Sequence, residues 1–523
     1  MKSARVSLFN GILLVFFLSL SVLLQAQTDI NPDSALPAII NNLEGNPLSL
    51  EQAVSYASEK SARLKQAEAV YLAALGSLRR ERGYYDPEFF FSFNYEDLET
   101  PSASFFAGAD VLATKTTTSQ TGLRLNLPVG TQLELALNTS NLKTNSTFAF
   151  LNPEYNTFGS LRFFQPLLGG FNVSARKELS RAELAADAAK ARYEQEMLRV
   201  NAEVESIYWD LFSAQYDFAV QQLTRDRAEA FLEQARLREK AGLIGPNQVA
   251  NARTFFAEQE LLLIDRLEQL DARSDRLASL IGERPAAGSR YKTTDTPPDN
   301  FSVEPVDAFV EQALTNSLDL QAAQKEVDAA VVYEDAASWE ALPKVNLVGS
   351  LVSSGLGGTP QEVTFGDETF TTISGGSFGN AISQVFKRDY PGWSLGVDIS
   401  IPIGLRSGLG EQDRLEAESF YAEQRYVELS RSLEEQVRSA HRELIHGNSR
   451  LKAAAEGVDA AEEQVRISNI EFENGRLTAF ELVRLNEDFA VAQRRYSEAL
   501  VRTVKAAAEL KQLTSGWYSP GKI

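Results

Sequence analysis

The stretch LEEQVRSAHRELIHGNSRLKAAAEGVDAAEEQV, residues 433–465, carries apolar residues at alternating spacings of four and three. Charged and polar residues fill most positions between them, so a single apolar line follows one side of a helix, as in a heptad repeat. The line has one gap of seven residues, which contains Gly447, and small residues along it let neighbouring helices approach closely. Its members are Leu433, Val437, Ala440, Leu444, Leu451, Ala454, Val458, Ala461 and Val465.

This pattern predicts one helix from about Glu411 to Gly475, and a second long helix is predicted from about Val173 to Ala241. Each would be on the order of 100 Å long at 1.5 Å per residue. The commonest meaning of such a pattern is a simple coiled coil, so the interpretation depends on the rest of the chain. The apolar line of the second helix comprises Val200, Val204, Ile207, Leu211, Ala214 and Phe218.

Composition excludes several classes of function. The chain has 523 residues, 44% of them hydrophobic, which is enough for a large core. It has no cysteine, which excludes a disulfide framework, a thiol nucleophile, a cysteine metal site and a lipidated N-terminal cysteine. The formal charge of −20 argues against nucleic acid as a partner.

Residues 1–26 have the order of a secretory signal peptide. Lys2 and Arg5 precede an apolar run from Gly11 to Leu24, and Ala26 is the expected cleavage position. The sequence has no other run of 18 or more apolar residues, so we expect an exported chain in which any membrane span is a β-strand. Residues 27–47 would form a mobile leader.

Between the predicted helices, the period of the apolar residues changes to two, which indicates strands within residues 88–166 and 344–402. A tight turn at Pro128–Gly130 would place Arg124 opposite Glu134. Longer polar segments join the strands at their other ends. Long loops on one side, short turns on the other and alternating apolar residues are typical of an outer-membrane barrel. A soluble β-sandwich is the alternative, less favoured because the long helices offer no second sheet.

The chain reads as two tandem copies. A constant offset of 256 aligns Ser61 with Ser317 and Pro87 with Pro343. We expect a first helix–strand–helix repeat at 48–284, a connector at 285–302, a second repeat at 303–515 and a tail at 516–523. The segment from Pro87 to Pro166 in the first repeat is 20 residues longer than the segment from Pro343 to Pro402 in the second. One additional hairpin needs about that many residues.

Several motifs resemble the TolC family of outer-membrane efflux and secretion channels. Leu48-Ser-Leu-Glu-Gln-Ala-Val54 resembles the family's opening helix, and Gln165-Pro-Leu-Leu-Gly-Gly170 its exit from a strand. The glycine turns at Gly242 and Gly475 resemble its paired helix tips. The resemblance implies a mainly α protein with membrane β: a homotrimer whose long α-helical barrel is continuous with an outer-membrane β-barrel, built from two tandem structural repeats.

The resemblance also implies a function. The protein would be the outer-membrane channel component of a tripartite efflux or type I secretion system, spanning from the outer membrane into the periplasm. It would be a passive, water-filled exit duct for cargo delivered by an inner-membrane pump and a periplasmic adaptor (membrane fusion) protein. A non-transporting periplasmic coiled-coil adaptor or scaffold is the alternative, but such a protein has no need of lipid-facing aromatic residues.

The resemblance assigns three groups of residues. The adaptor-docking tips would be Gly242, Leu243, Ile244, Gly475, Arg476 and Leu477. The periplasmic entrance would include Gln248, Glu481 and Arg484. The lipid-facing strand residues would be Phe89, Phe91, Phe93, Tyr95, Leu123, Leu125, Leu133, Leu135, Leu161, Phe163, Trp393, Leu395, Val397 and Ile399.

The chain departs from the family pattern in two places. Some relatives carry acidic residues six and nine positions after the second tip glycine, where this chain has Glu481 and Arg484. The additional hairpin would give six strands per chain instead of four, hence 18 instead of 12 in a trimer, unless it folds outside the wall.

No catalytic constellation is apparent. The only histidines, His441 and His446, are five positions apart on a helix and therefore do not share a face. We expect them to be ordinary surface residues. The sequence predicts no enzyme, no cofactor and no metal site.

Overall fold

The computed structural model describes residues 32–286, 289–372 and 375–518. The predicted signal peptide lies outside these ranges. The chain divides into two compact units. The first comprises the described parts of Met1–Lys65, Glu196–Asn316 and Leu433–Ile523, and the second comprises Gln66–Gln195 and Ser317–Ser432. No helix within the described ranges combines the length and the apolar content that crossing a bilayer requires.

Ten α-helices are described, and two of them are 68 residues long. They are α1 (Pro32–Asn42), α2 (Leu50–Lys60), α3 (Ala62–Gly83), α4 (Val173–Lys240), α5 (Pro246–Ile281), α6 (Val306–Asn316), α7 (Leu318–Glu340), α8 (Phe378–Lys387), α9 (Arg406–Glu473) and α10 (Ala479–Leu513). The two long helices, α4 and α9, begin and end close to the bounds that the heptad pattern predicts.

The helix expected to start at Leu48 is divided by a serine, and so is its counterpart in the second repeat. Ser61 separates α2 from α3, and Ser317 separates α6 from α7. Both serines have extended backbone angles and are buried. The Ser317 hydroxyl accepts a hydrogen bond from the backbone N–H of Leu320, which caps the following helix. The same break at equivalent positions supports the tandem duplication.

In the first unit, residues predicted as leader and connector form part of the core. Strand β1 (Asn46–Leu48) pairs in parallel with β6 (Tyr291–Thr293). The buried Tyr208 hydroxyl of α4 donates to the Asp295 carboxylate at 2.7 Å and lies 2.9 Å from the Leu48 carbonyl oxygen. The expectation of a mobile leader therefore needs correction, because the end of this segment pairs with β6 and the following Leu48 is bound by α4.

The predicted apolar lines become buried seams over most of their length. Val200, Val204, Ile207 and Leu211 of α4 are buried, but the next fully buried positions are Gln215, Ala219 and Val220 rather than Ala214 and Phe218. At the point where the seam changes position, the Gln215 amide oxygen accepts a hydrogen bond from the Thr293 hydroxyl at 2.6 Å.

Small residues in the α9 seam allow close helix contact, as expected. A Cβ atom added at Gly447 would lie 2.6 Å from the Thr503 hydroxyl oxygen of α10. No larger side chain fits at this position without moving the neighbouring helix.

The second unit contains a six-stranded antiparallel sheet in the order β10-β7-β5-β4-β3-β2. Its strands are β2 (Glu88–Pro101), β3 (Val111–Asn126), β4 (Gln132–Thr144), β5 (Leu151–Pro166), β7 (Lys344–Pro360) and β10 (Tyr390–Ser400). The predicted register of the β3–β4 hairpin is confirmed: Arg124 is opposite Glu134, and Leu125 is opposite Leu133. The additional hairpin is therefore part of the sheet.

The segment between β7 and β10 was expected to be a loop but contains a short hairpin and a helix. The hairpin consists of β8 (Val363–Phe365) and β9 (Glu368–Phe370). Helix α8 lies against β5 and β7, with Ala381 and Val385 buried. A Cβ atom added at Gly355 would lie 2.0 Å from the Ala381 carbonyl oxygen, so glycine is required for this contact.

Candidate functional site

The two long helices end in the same way at their tips. Gly242 and Gly475 adopt φ angles of +72° and +71°. The N–H of Leu243 donates to the Arg238 carbonyl at 2.9 Å, and the N–H of Arg476 donates to the Glu471 carbonyl at 2.9 Å. These bonds close a Schellman cap, which needs a left-handed residue. A Cβ atom at either glycine would meet nothing within 4 Å, so the requirement is conformational and not steric.

The tips expose fewer of the predicted apolar side chains than expected. They also expose one apolar side chain that was not predicted. Leu243 is 74% exposed. Ile244 instead packs against a cluster that includes Leu232 and Ala252, and Leu477 is half-buried. Phe480, in the first turn of α10, is 71% exposed. Its position five residues after Gly475 was the available signal.

The predicted entrance residues form no hydrogen bond or ion pair with one another in the part of the chain that the structure describes. Glu481 closes a capping box: its carboxylate accepts from the Thr478 N–H at 2.9 Å and from the Thr478 hydroxyl at 2.7 Å. These hydrogen bonds lower the pKa of Glu481. Arg484 and Gln248 are exposed, and Arg484 makes no ion pair with any described residue.

Aromatic and cationic side chains join the two helix hairpins behind the tips. The rings of Phe231 on α4 and Phe472 on α9 are 5.9 Å apart. The Arg238 guanidinium lies 4.4 Å from the Phe472 ring centroid, and that of Arg227 lies 5.5 Å from the Phe489 ring centroid. Burial lowers the pKa of Arg227. These contacts hold the hairpins together around a cleft of about 790 Å³.

Further along the helices is a buried polar cluster that periodicity alone did not reveal. The Gln221 amide donates to the Gln259 side-chain oxygen at 2.9 Å, and Arg494 donates to Gln221 at 3.3 Å. Nearby, Asp217 has a buried oxygen with no hydrogen-bond partner among the described residues. Burial raises the pKa of Asp217 to about 6, and Arg266 opposes the rise.

One face of the sheet carries an apolar residue from every strand in a single row. The register places these residues opposite one another in turn: Phe89, Leu123, Leu135, Leu161, Leu351 and Trp393. All six are exposed, from 41% for Leu161 to 77% for Trp393. The predicted lipid-facing residues all lie on this face, because side chains alternate along a strand. Leu125, Leu133 and Phe163 are only half-exposed. The Phe163 ring covers Gly349.

The next row lies on the opposite face and is polar. It comprises Glu88, Arg124, Glu134, Arg162, Ser350 and Ser394. Arg124 lies 3.0 Å from Glu134 and 3.9 Å from Glu88, and Arg162 lies 3.6 Å from Glu134. The charges therefore alternate along the row and compensate each other.

The family model of outer membrane efflux proteins matches residues 125–283 and 309–516. The chain belongs to the outer membrane efflux protein family. The match covers the later part of the first repeat and nearly all of the second, and membership gives the protein its location, the outer membrane, and its function, efflux.

Solved structures of outer-membrane channels share the fold of this outer membrane efflux protein. The Campylobacter jejuni CmeC channel matches with a TM-score of 0.64 at 12% identity, over 91% of this chain and 87% of that one. The outer-membrane channel OprN matches with 0.63 at 16% identity, over 90% of each chain. VceC of Vibrio cholerae matches with 0.62 at 15% identity, over 90% of this chain and 97% of that one. No curated protein sequence matches the chain significantly.

The histidines of this outer membrane efflux protein differ from expectation in one respect. His441 is not on the surface: it is buried, its ring lies 5.4 Å from that of Phe309, and its Nε2 is 2.9 Å from the Glu304 carbonyl oxygen. His446 is exposed. Among the described residues, no three metal-ligating side chains are grouped.

Proposed function

We propose that the chain is one subunit of a homotrimeric exit duct in a tripartite efflux or type I secretion system. The sheets of three copies form the part in outer-membrane lipid, and the long helices extend into the periplasm. The duct is passive and water-filled. An inner-membrane pump supplies cargo and energy, and a periplasmic adaptor protein joins the pump to the duct.

The observation that carries this proposal is the pair of adjacent rows on the sheet. Monomeric soluble proteins rarely expose contiguous apolar patches larger than a few hundred Å². The face that contains Phe89 and Trp393 carries an exposed apolar residue on each of the six strands. Lipid would cover this face, and water would solvate the alternating charges on the other.

The tips support adaptor docking. Leu243 lies on one of the turns that join the helix pairs and Phe480 in the first turn of α10; both are exposed and apolar, and a partner's helices could bury them. The remaining tip residues, Gly242, Ile244, Gly475, Arg476 and Leu477, would shape the turns. Gln248, Glu481 and Arg484 would face the entrance, where Arg484 is available for a partner's carboxylate.

Opening the entrance would separate the two helix hairpins at the Phe231–Phe472 contact. The capping box at Thr478 would keep α10 intact during this motion, because its hydrogen bonds lie within one turn. The related solved structures are of channels, and we propose that the chain performs no catalysis.

The experiment is to express the tagged protein, fractionate the membranes and incorporate the purified protein in planar lipid bilayers. We expect it in the outer-membrane fraction as a trimer that dissociates on heating, and we expect discrete conductance steps. A monomer that stays soluble without detergent and produces no conductance in the bilayer would contradict the proposal.

A further inference from the structure

In the six-stranded sheet, the β3–β4 hairpin lies between the first and last strands of the first repeat. Strands β3 and β4 lie between β2 and β5, whereas β7 and β10 of the second repeat are direct neighbours. A chain that enters and leaves the sheet at the same end needs an even number of strands per repeat. Adding a hairpin preserves this condition, so both repeats still return the chain to a long helix.

Both rows described above continue without interruption through the hairpin. In the apolar row, Leu123 and Leu135 connect Phe89 to Leu161. In the polar row, Arg124 and Glu134 are 3.0 Å apart and continue the alternation of charge. If the hairpin were folded away from the wall, its residues would not need to continue the apolar row on one face and the alternating charges on the other.

The exposed apolar residues also lie at different heights on the two edge strands. On β2 they run from Phe89 to Tyr95, towards the loops, and on β10 they run from Trp393 to Ile399, in the opposite sense. From β2 to β10 their centre moves by about six residues over five strand-to-strand steps. With 3.3 Å per residue and 4.8 Å between strands, this slope corresponds to a tilt of about 40°. Strands of outer-membrane barrels tilt by about 35–45°, and the offset between the two edge strands of the sheet agrees with that tilt.

We propose that all six strands of each copy are wall strands and that β2 of one copy pairs with β10 of the next, which gives an 18-stranded barrel. Strand β2 follows a helix into the sheet and β10 leaves the sheet for a helix, so the two edges run antiparallel when copies meet. Each edge strand has one partner in the described sheet. This inference rests on the homotrimer of the proposed function. Barrel diameter grows about linearly with strand number, so the outlet is about 1.5 times wider than one with four strands per copy.

The test uses the absence of cysteine from the chain. Asn94, Thr118, Ser140 and Asn156 form one row across β2, β3, β4 and β5. The N94C/T118C and S140C/N156C variants place cysteines on directly opposite residues, within the Cα separation that a disulfide spans. The N94C/N156C variant places them three strand steps apart, about 14 Å, which is too far.

We expect the first two pairs to form disulfides in trimers isolated from the outer membrane and the third to remain reduced. A hairpin outside the wall would bring β2 beside β5, and N94C/N156C would then cross-link. That result, or failure of S140C/N156C to cross-link, would overturn the inference. A trimer that conducts but cross-links through N94C/N156C leaves the proposed function intact, whereas a protein that forms no trimer removes the proposed function itself.

A second measurement does not depend on the cysteine variants. The outer diameter of the barrel in lipid nanodiscs, measured by electron microscopy, should fall to about two-thirds when residues 111–144 are deleted. The deletion removes β3, β4 and their turn and keeps the even strand count. If the deletion variant does not assemble, the wild-type diameter decides, because 12 and 18 strands differ by about half in width.

Discussion

Gly242 and Gly475 show how a single residue sets the end of a 68-residue helix. Because their left-handed backbone is the constraint, G475A should destabilise the tip by about 1–2 kcal/mol. Gly457 is a matched control: it lies within α9, also has no atom within 4 Å of an added Cβ, and G457A should stabilise the helix by about 0.5–1 kcal/mol. Hydrogen exchange of the helix turns next to each position measures both effects, and equal effects of the two substitutions would contradict the argument.

The raised pKa of Asp217 predicts that the free energy of unfolding falls as pH rises, whereas a salt-bridged carboxylate has the opposite effect. The folded pKa of Asp217 is raised from 3.8 to about 6 by burial, so the unfolded chain loses the proton first as pH rises. The protein should therefore lose at most about 3 kcal/mol of stability between about pH 4 and pH 6. In D217N this loss should be absent. Thermal unfolding of both proteins at pH 4.5 and pH 7.5 tests the difference, and a parallel response would rule out Asp217 as its source.

At the scale of the element, the long helices and the strand register could be predicted because each rests on a sustained period. The division at Ser61 could not, since serine occurs within many helices and its burial depends on tertiary contacts. The pairing of β1 with β6 was also inaccessible, because three-residue strands have no measurable period. Helix α8 was mistaken for a loop because glycine and serine directly precede its ten residues.

Helix α8 should move away from the sheet when Gly355 is replaced by a residue with a side chain. In G355A the new Cβ would lie 2.0 Å from the Ala381 carbonyl oxygen, so the helix has to move. G396A is the control, because its Cβ would lie at an ordinary 3.6 Å from a Val348 methyl group. We expect trypsin to cleave G355A faster at Lys387 and Arg388 than wild type or G396A. Unchanged cleavage in G355A would show that the backbone adapts without displacing the helix.

At the scale of the whole molecule, the sequence shows two copies of one unit whose strands carry one apolar face, and α8 covers this face beside Gly355. The rows of the sheet follow from the alternation in each strand, so most of the candidate lipid-facing surface could be predicted residue by residue. The tips could be predicted only in part. Ile244 was expected at an exposed tip but packs against the cluster around Leu232, and the exposed Phe480 was not predicted.

Docking of an adaptor at the tips should depend on the exposed apolar area there. L243D/F480D puts charge on both residues and should reduce the amount of periplasmic adaptor that co-purifies with the tagged protein by at least tenfold, which corresponds to about 1.4 kcal/mol. The level of trimer in the outer membrane should not change, because neither side chain packs within its own subunit. L243M/F480L keeps the apolar area and should retain the adaptor. Loss of the adaptor in both variants would indicate that turn shape, not apolar contact, determines docking.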